Sequence, residues 1–257
     1  MPRQVIIPFR TPHNQAPNPM WGSVLHGMLM EQLSSEKATA LHQNRRPPWA
    51  QYVTRCHDGG ALWVVSLLTQ EIERVFDAHI LSMLPKEFHL RQKGYSILMQ
   101  PPVTDRYLVD SWFFESTEKT GNQGARFEIT FLTPTAFKQN GKYVAQPDIR
   151  LIYYSLASRW NEICDLDICP LNVSEEHMQE VCVSTHVAND FTSESAFSVN
   201  GKPIKGFRGT IILTCEKTIV ARKWRMLFRY AQFCGVGIKT ALGMGAFCLK
   251  SDNEVNS

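Results

Sequence analysis

The chain has 257 residues, 44% hydrophobic and 20% charged, room for one large domain or two of roughly 100–130 residues. This composition excludes a disordered, collagenous or coiled-coil chain, and a core of this size needs neither disulfide nor metal to hold it. The net charge of +3 is uneven: residues 201–250 carry ten Lys or Arg and a single acid, Glu216, for a net of +9, which leaves −6 for the remainder. A basic segment on a weakly acidic body suggests a polyanionic partner, usually nucleic acid; its plainer reading is a solvated basic face.

Taken in order, Gln4–Phe9 reads as a strand, with Pro8 marking its end or an edge position. After a Pro/Asn loop, Trp21, Val24, Leu25, Met28, Leu29 and Leu33 recur at helical spacing. Ser34 is placed to cap a second short helix, Ser35–His42, which Pro47 and Pro48 stop. Tyr52–Cys56 and Leu62–Leu68 read as strands around the turn signal His57-Asp58-Gly59-Gly60. Glu71–Leu84 is a helix with Ile72, Val75, Phe76, Ile80 and Leu84 inward, and Phe88–Met99 is extended. The order β-α-β-β-α-β is that of a ferredoxin-like unit.

The second half repeats it with longer loops. Arg126–Leu132 alternates as a half-buried strand, Ile149–Trp160 reads as a helix, and Val181–Val187 and Thr210–Thr214 read as strands with Phe191–Val199 as an arm between them. Thr218–Cys234 is a long helix and Ala246–Leu249 a short last strand, while Pro101-Pro102 opens a linker. The expected architecture is α+β: two tandem ferredoxin-like (RRM-like) domains, 1–105 and 106–257.

No apolar run reaches the roughly 18 residues of a membrane span, and the first residues lead straight into a strand with no apolar signal region. The seven cysteines are odd in number and form no CxxC pair, so free thiols in a reducing, cytoplasmic setting are expected and zinc is not. No HxH, HExxH or carboxylate cluster points to another metal.

The most informative stretch is Gly235-Val-Gly237-Ile-Lys239-Thr240-Ala-Leu-Gly243-Met-Gly245. It is no P-loop, because Ile238 stands where a glycine must precede the lysine. It is no dinucleotide fingerprint either, because it follows a helix and Thr240 replaces the third glycine. Four glycines still allow close approach of the backbone with amides turned outward, and a phosphate backbone suits such amides plus Lys239. Arg222, Arg225 and Arg229 lie on one face of the preceding helix, apart from its apolar stripe of Trp224, Leu227, Phe228 and Ala231.

This loop resembles the C-terminal signature of the CRISPR-associated repeat-RNA-processing endoribonucleases of the RAMP superfamily, the "Cas six" family. Leu25-His26-Gly27-Met28-Leu29-Met30-Glu31-Gln32, Leu41-His42, Phe131-Leu132-Thr133-Pro134-Thr135-Ala136-Phe137 and Lys205-Gly206-Phe207-Arg208-Gly209 agree in the same order. The first segment is nearest to members associated with type III systems. The resemblance implies tandem ferredoxin-like domains and a prokaryotic, cytoplasmic endoribonuclease. It would cut precursor CRISPR RNA within the repeat, without metal or other cofactor, to release guide RNA. Further implied partners are a transient contact with a type III effector complex and a second copy of the chain. The competing reading is a non-catalytic RAMP subunit that holds guide RNA.

Metal-free RNA cleavage needs a base for the 2′-OH, an acid for the leaving 5′-oxygen, and a cation for the charge gathered on phosphorus. Of eight histidines, the resemblance singles out His42 as catalytic. Its place at a helix end favours the protonated form. Arg45 and Arg46 follow it and read either as scissile-phosphate ligands or as solvated loop arginines. His26 sits on the polar side of the first helix, where the family carries an assisting Tyr or His; its plainer reading is a histidine bonded to a backbone carbonyl. Gly22 and Gly27 beside it allow another chain to come close. The expected RNA ligands are Arg45, Arg46, Arg222, Arg225, Arg229, Gly235, Gly237, Lys239, Thr240, Gly243 and Gly245.

Overall fold

The structure, a computed structural model, describes residues 2–12, 21–36, 39, 46–56, 60–82, 84–90, 94–102, 104–107, 124–163, 170–199 and 201–255. They fall into two compact units. One comprises Pro2–Tyr107 and Lys239–Gly243; the other comprises the described residues of Leu108–Ile238 and Met244–Ser257. The apex of the glycine-rich loop therefore belongs with the N-terminal residues.

In the first unit, β1 (Arg3–Arg10), α1 (Trp21–Glu31), β2 (Trp49–Arg55), β3 (Ala61–Leu67) and α2 (Gln70–Phe76) run in the expected order. Then come β4 (Glu87–Leu90), β5 (Tyr95–Met99) and β6 (Thr104–Tyr107). The sheet order is β2-β3-β1-β5-β4, with β6 also paired to β1. Thr69 caps α2 by accepting from the Ile72 amide at 3.3 Å, and a π-helical turn, Asp77–Leu81, extends the helix. Arg3 anchors this helix to the sheet, donating to Glu73 at 3.2 Å and to both oxygens of Asp77 at 2.8 and 2.9 Å. The stretch Phe88–Met99 is not one extended segment. Gly94, at φ +72, turns it into the hairpin β4–β5, with the Gly94 amide donating to Leu90 O at 2.9 Å.

In the second unit, β7 (Gly124–Thr135), α3 (Ile149–Ile163), β10 (Thr185–Val199), β11 (Lys202–Cys215), α5 (Thr218–Cys234) and β12 (Phe247–Val255) repeat the pattern. A small hairpin, β8 (Phe137–Gln139) and β9 (Lys142–Val144), and a helix, α4 (Glu175–Ser184), are inserted. The antiparallel order β10-β11-β7-β12 is that of a ferredoxin-like sheet. Val181 lies in α4, so a strand from 181 to 187 is corrected: Ser174 caps the helix by accepting from the His177 amide, and Met178 and Val181 bury at helical spacing. The strand starts at Thr185. The arm from Phe191 and the strand at Thr210–Thr214 prove to be the two sides of one long hairpin, β10–β11, turned at Gly201.

The second core is aromatic. Trp224 stacks on Phe228, Tyr153 meets Trp224 edge-on, and the Trp224 indole donates to Thr185 Oγ1 at 2.9 Å. Arg225 is also inside, 4% exposed, with Nε 2.8 Å from each oxygen of Asp252 on β12 and its guanidinium 5.8 Å from the Phe127 ring. Removing one partner of such a pair strands a desolvated charge. Asp252→Ala should therefore lower unfolding free energy by about 3–5 kcal/mol. An Arg225→Met/Asp252→Leu double variant should lose less than that single change; urea unfolding of both checks it.

Candidate nucleic-acid interface and active site

The glycine-rich loop starts where α5 stops. Gly235, at φ +71, ends the helix with its amide on Ala231 O at 2.8 Å. From there the amides turn inward, not outward as the glycine content suggests. Val236 donates to Gly245 O at 2.8 Å, Gly237 to Ser155 Oγ at 2.9 Å and Ile238 to Ala136 O at 3.0 Å. Gly245 donates to Pro134 O at 3.1 Å and Ala246 to Thr133 Oγ1 at 2.9 Å. Gly237 and Gly245 are required by packing against the chain's own backbone: an added Cβ would lie 2.3 Å from Ala136 O and 2.0 Å from Val236 O, and both have positive φ. Gly235, Gly237, Gly243 and Gly245 thus shape the loop, with the amides of Leu242 and Gly243 closing its apical turn on Lys239 and Thr240.

The apex of the loop is a 3-10 turn, Thr240–Leu242, entered through Lys239 at φ +55 and left through Gly243 at φ +107. Thr240 is buried and Lys239 exposed. The apex sits on α1 and β2 of the first unit. A Cβ on Gly22 would lie 2.6 Å from Leu242 O and 2.9 Å from Gly243 Cα, so the close approach read at Gly22 is made by this loop. At Gly27 an added Cβ meets nothing within 4 Å. Gln51 joins the pieces. Only 2% exposed, it donates from Nε2 to Gly22 O at 3.0 Å and to Ala241 O at 2.6 Å, and its Oε1 accepts from Trp63 Nε1 at 2.6 Å. Leaving any of these buried groups unpaired costs about 1–3 kcal/mol.

His26 lies one turn further along α1, half-buried, its ring stacked on the buried Trp49 indole at 5.6 Å and 20°. Arg46 is half-buried just before β2. His42 and Arg45 lie outside the described residues. The structure thus brings His26 and the Lys239 apex together in one unit.

The arginines of α5 behave differently from a free basic face. Arg225 is held by Asp252 and is corrected to a core residue. Arg229 is half-buried, and burial pulls its guanidinium below its ordinary value, an effect Asp252 opposes and Arg225 reinforces. Arg222 is half-buried. The exposed cations of the basic segment include Lys202, Lys205 and Arg208 on β11, and Lys239 and Lys250. Among the described residues, no three His, Cys, Asp or Glu side chains gather as metal ligands would, and no helix is long and apolar enough to cross a membrane.

A sequence profile of the family described as "CRISPR-associated endoribonuclease Cas6" matches residues 129–247. The chain is 31% identical over 242 residues to the Cas6 endoribonuclease of Streptococcus thermophilus, covering 89% of this chain and 91% of that protein. The chain belongs to the Cas6 family. The Mycobacterium tuberculosis Cas6 is also 31% identical, over 229 residues, covering 88% of this chain and 70% of that protein. Among solved structures, a Cas6 product complex superposes with a TM-score of 0.72 at 22% identity, over 97% of this chain and all of that one. Thermus thermophilus Cas6 gives 0.68 at 21%, over 97% and 98%. These likenesses agree with the two ferredoxin-like units.

Sequence reasoning missed Gln51, Trp49, Trp63 and Ser155. Gln51 left a trace: in Trp49-Ala-Gln51-Tyr-Val53 it occupies the inward phase of a strand, where a polar residue needs a reason. The loop geometry sets two stability expectations. Gly245→Ala should destabilise by well over ~1 kcal/mol, because positive φ and the Val236 carbonyl both oppose a side chain. Gly27→Ala, in open space on a helix, should stabilise by about 1 kcal/mol. Thermal unfolding of the two variants checks both.

Proposed function

We propose that this Cas6 chain cuts precursor CRISPR RNA within the repeat by attack of a 2′-OH on the adjacent phosphorus. The products are a 2′,3′-cyclic phosphate (or 3′-phosphate) end and a 5′-OH end. One group takes the 2′-OH proton; the new P–O bond forms as the bond to the 5′-oxygen breaks; a second group returns a proton to that oxygen. His42, by its resemblance to the family's histidine, and His26 share the two proton transfers. Lys239, together with Arg45 and Arg46, which follow His42 in the sequence, supplies positive charge for the phosphate.

The observation that carries this reading is the docking of the Lys239 apex on the helix that bears His26. An exposed cation on a turn docked on α1, and a histidine on that same helix seated on an indole, put an anion-binding group and a proton-transfer group in one unit. His26, seated on the Trp49 face, and His42 are the two candidates for acid and base, since histidine exchanges a proton near neutral pH. No metal or cofactor takes part in this scheme. The partners are precursor and guide RNA in a prokaryotic cytoplasm, with a type III effector contact and self-association as further expectations carried by the resemblance.

Cleavage of repeat RNA should proceed in EDTA at nearly the rate seen with Mg²⁺, and a single 2′-deoxy substitution at the cut site should abolish it. His42→Ala should slow single-turnover cleavage by roughly 10²-fold or more with repeat affinity within a few fold. Wild-type cleavage by that variant overturns the assignment, and loss of binding together with cleavage points to an RNA-holding subunit.

Binding should be largely electrostatic. Lys239→Ala should weaken it and reduce the slope of log affinity against log salt by roughly 0.7, the value for one phosphate contact on a single strand. Arg225→Met should leave the slope unchanged and lower only stability, because its guanidinium faces Asp252. Filter binding across a salt series separates the two.

A further inference from the structure

We infer that Gln51 is a positioning residue of the cleavage reaction: its buried amide fixes the loop apex to the start of α1 and so sets where Lys239 stands relative to His26. This rests on the functional reading above.

A glutamine amide has two N–H donors and one carbonyl acceptor. Here all three functions are used, each toward a different segment. The donors meet Gly22 O on α1 and Ala241 O in the apical turn, and the carbonyl meets the Trp63 indole on β3. The amide cannot turn over, because its oxygen would then face two carbonyls and its NH₂ an indole N–H. It therefore defines a direction as well as a distance.

Two independent features make the joint rigid. Gly22 lets the backbone of Leu242 and Gly243 lie directly against α1, and the Ala241 methyl, 4% exposed, enters the hydrophobic cluster of the first unit. What the joint holds is backbone; what it displays is the exposed Lys239 side chain, whose left-handed φ of +55 is imposed by the turn. The same α1 turn carries His26 onward to Trp49. Displacing either group by about 1 Å is enough to cost up to roughly 10²-fold in rate. Gln51 touches neither RNA nor reacting atoms on this account; it acts through the elements it joins.

The test uses the full chain with repeat RNA, measuring the single-turnover rate at saturating RNA and, separately, affinity for the 2′-deoxy substrate. Q51L removes the three bonds at similar volume. G22A keeps Gln51 and forces the apex off α1. Each should lower the saturating rate at least about tenfold while affinity changes less than threefold (roughly, since the remaining phosphate contacts persist). Q51E presents a carboxylate to two carbonyl oxygens and regains a donor only on protonation. Its rate relative to wild type should therefore rise as pH falls, with no such trend in Q51L.

A role confined to stability predicts a lower melting temperature with an unchanged saturating rate per folded molecule, and that result overturns the inference. Rate and affinity falling in proportion overturns it too, by making the joint a binding element. If Q51L does not fold, G22A and Q51E decide by the same criteria. The underlying reading is tested apart from Gln51: His26→Ala and Lys239→Ala both behaving as wild type would remove the site itself, whatever Gln51 does.

Discussion

A buried hydrogen bond to a carbonyl is directional and, with no water to replace it, costly to break. At Gln51 three such bonds radiate from one amide, and the local order of the loop apex follows from them. The glycine-rich segment is only a chain with wide conformational freedom until its apex is held. The Gln51 donors and the bare Cα of Gly22 hold it, in a space too narrow for a side chain. The glycines further out serve a different end, letting the chain run against its own strand with its amides bonded. A loop whose composition suggests flexibility is in this way made stiff, its apex held by Gln51 and Gly22 rather than left to its glycines.

The charge of the C-terminal segment is arranged by the same rule of burial. A helix with apolar residues around most of its circumference has no room for a free basic stripe, and Arg225 enters the core with its own counter-ion, Asp252. Half-burial of Arg229 keeps that charge near the surface but out of full contact with water. Exposed cations concentrate instead on β11, where Lys202, Lys205 and Arg208 all lie exposed on a hairpin whose partner strand is mostly exposed. Net charge read from composition gives the sign of the partner; which cations face it depends on packing.

Much of this was legible from the residues. The strand–helix order of both units follows from period-two and period-3.6 patterns, and the long helix from Thr218 to Cys234 ends at the glycine that stops it. Legibility failed where one residue decides between two local states. Gly94 folds an extended run into a hairpin, and the Ser174 cap turns an apparent strand at Val181 into helix. The outward-amide reading of the loop failed because hydrogen-bond partners such as Ser155, Thr133 and Pro134 are remote in sequence and carry no local signal. What Gln51 joins was hidden for the same reason: its inward position in a strand is readable, but its partners Trp63, Gly22 and Ala241 lie 12, 29 and 190 positions away.

The first unit is discontinuous, and this bears on the order in which the protein is made. Ala241 closes a hydrophobic cluster whose other members all lie within the first hundred residues, and the Ala241 carbonyl reaches Gln51 across 190 positions. On a ribosome the N-terminal sheet and its helices emerge long before the turn that completes them, so Gln51 waits with one donor unpaired and Gly22 with an open flank. Contacts of such separation form late and slowly. The chain consequently acquires its loop apex late in folding, and a truncated translation product, ending before residue 239, carries an N-terminal half that is folded in outline with the Gln51 joint unmade.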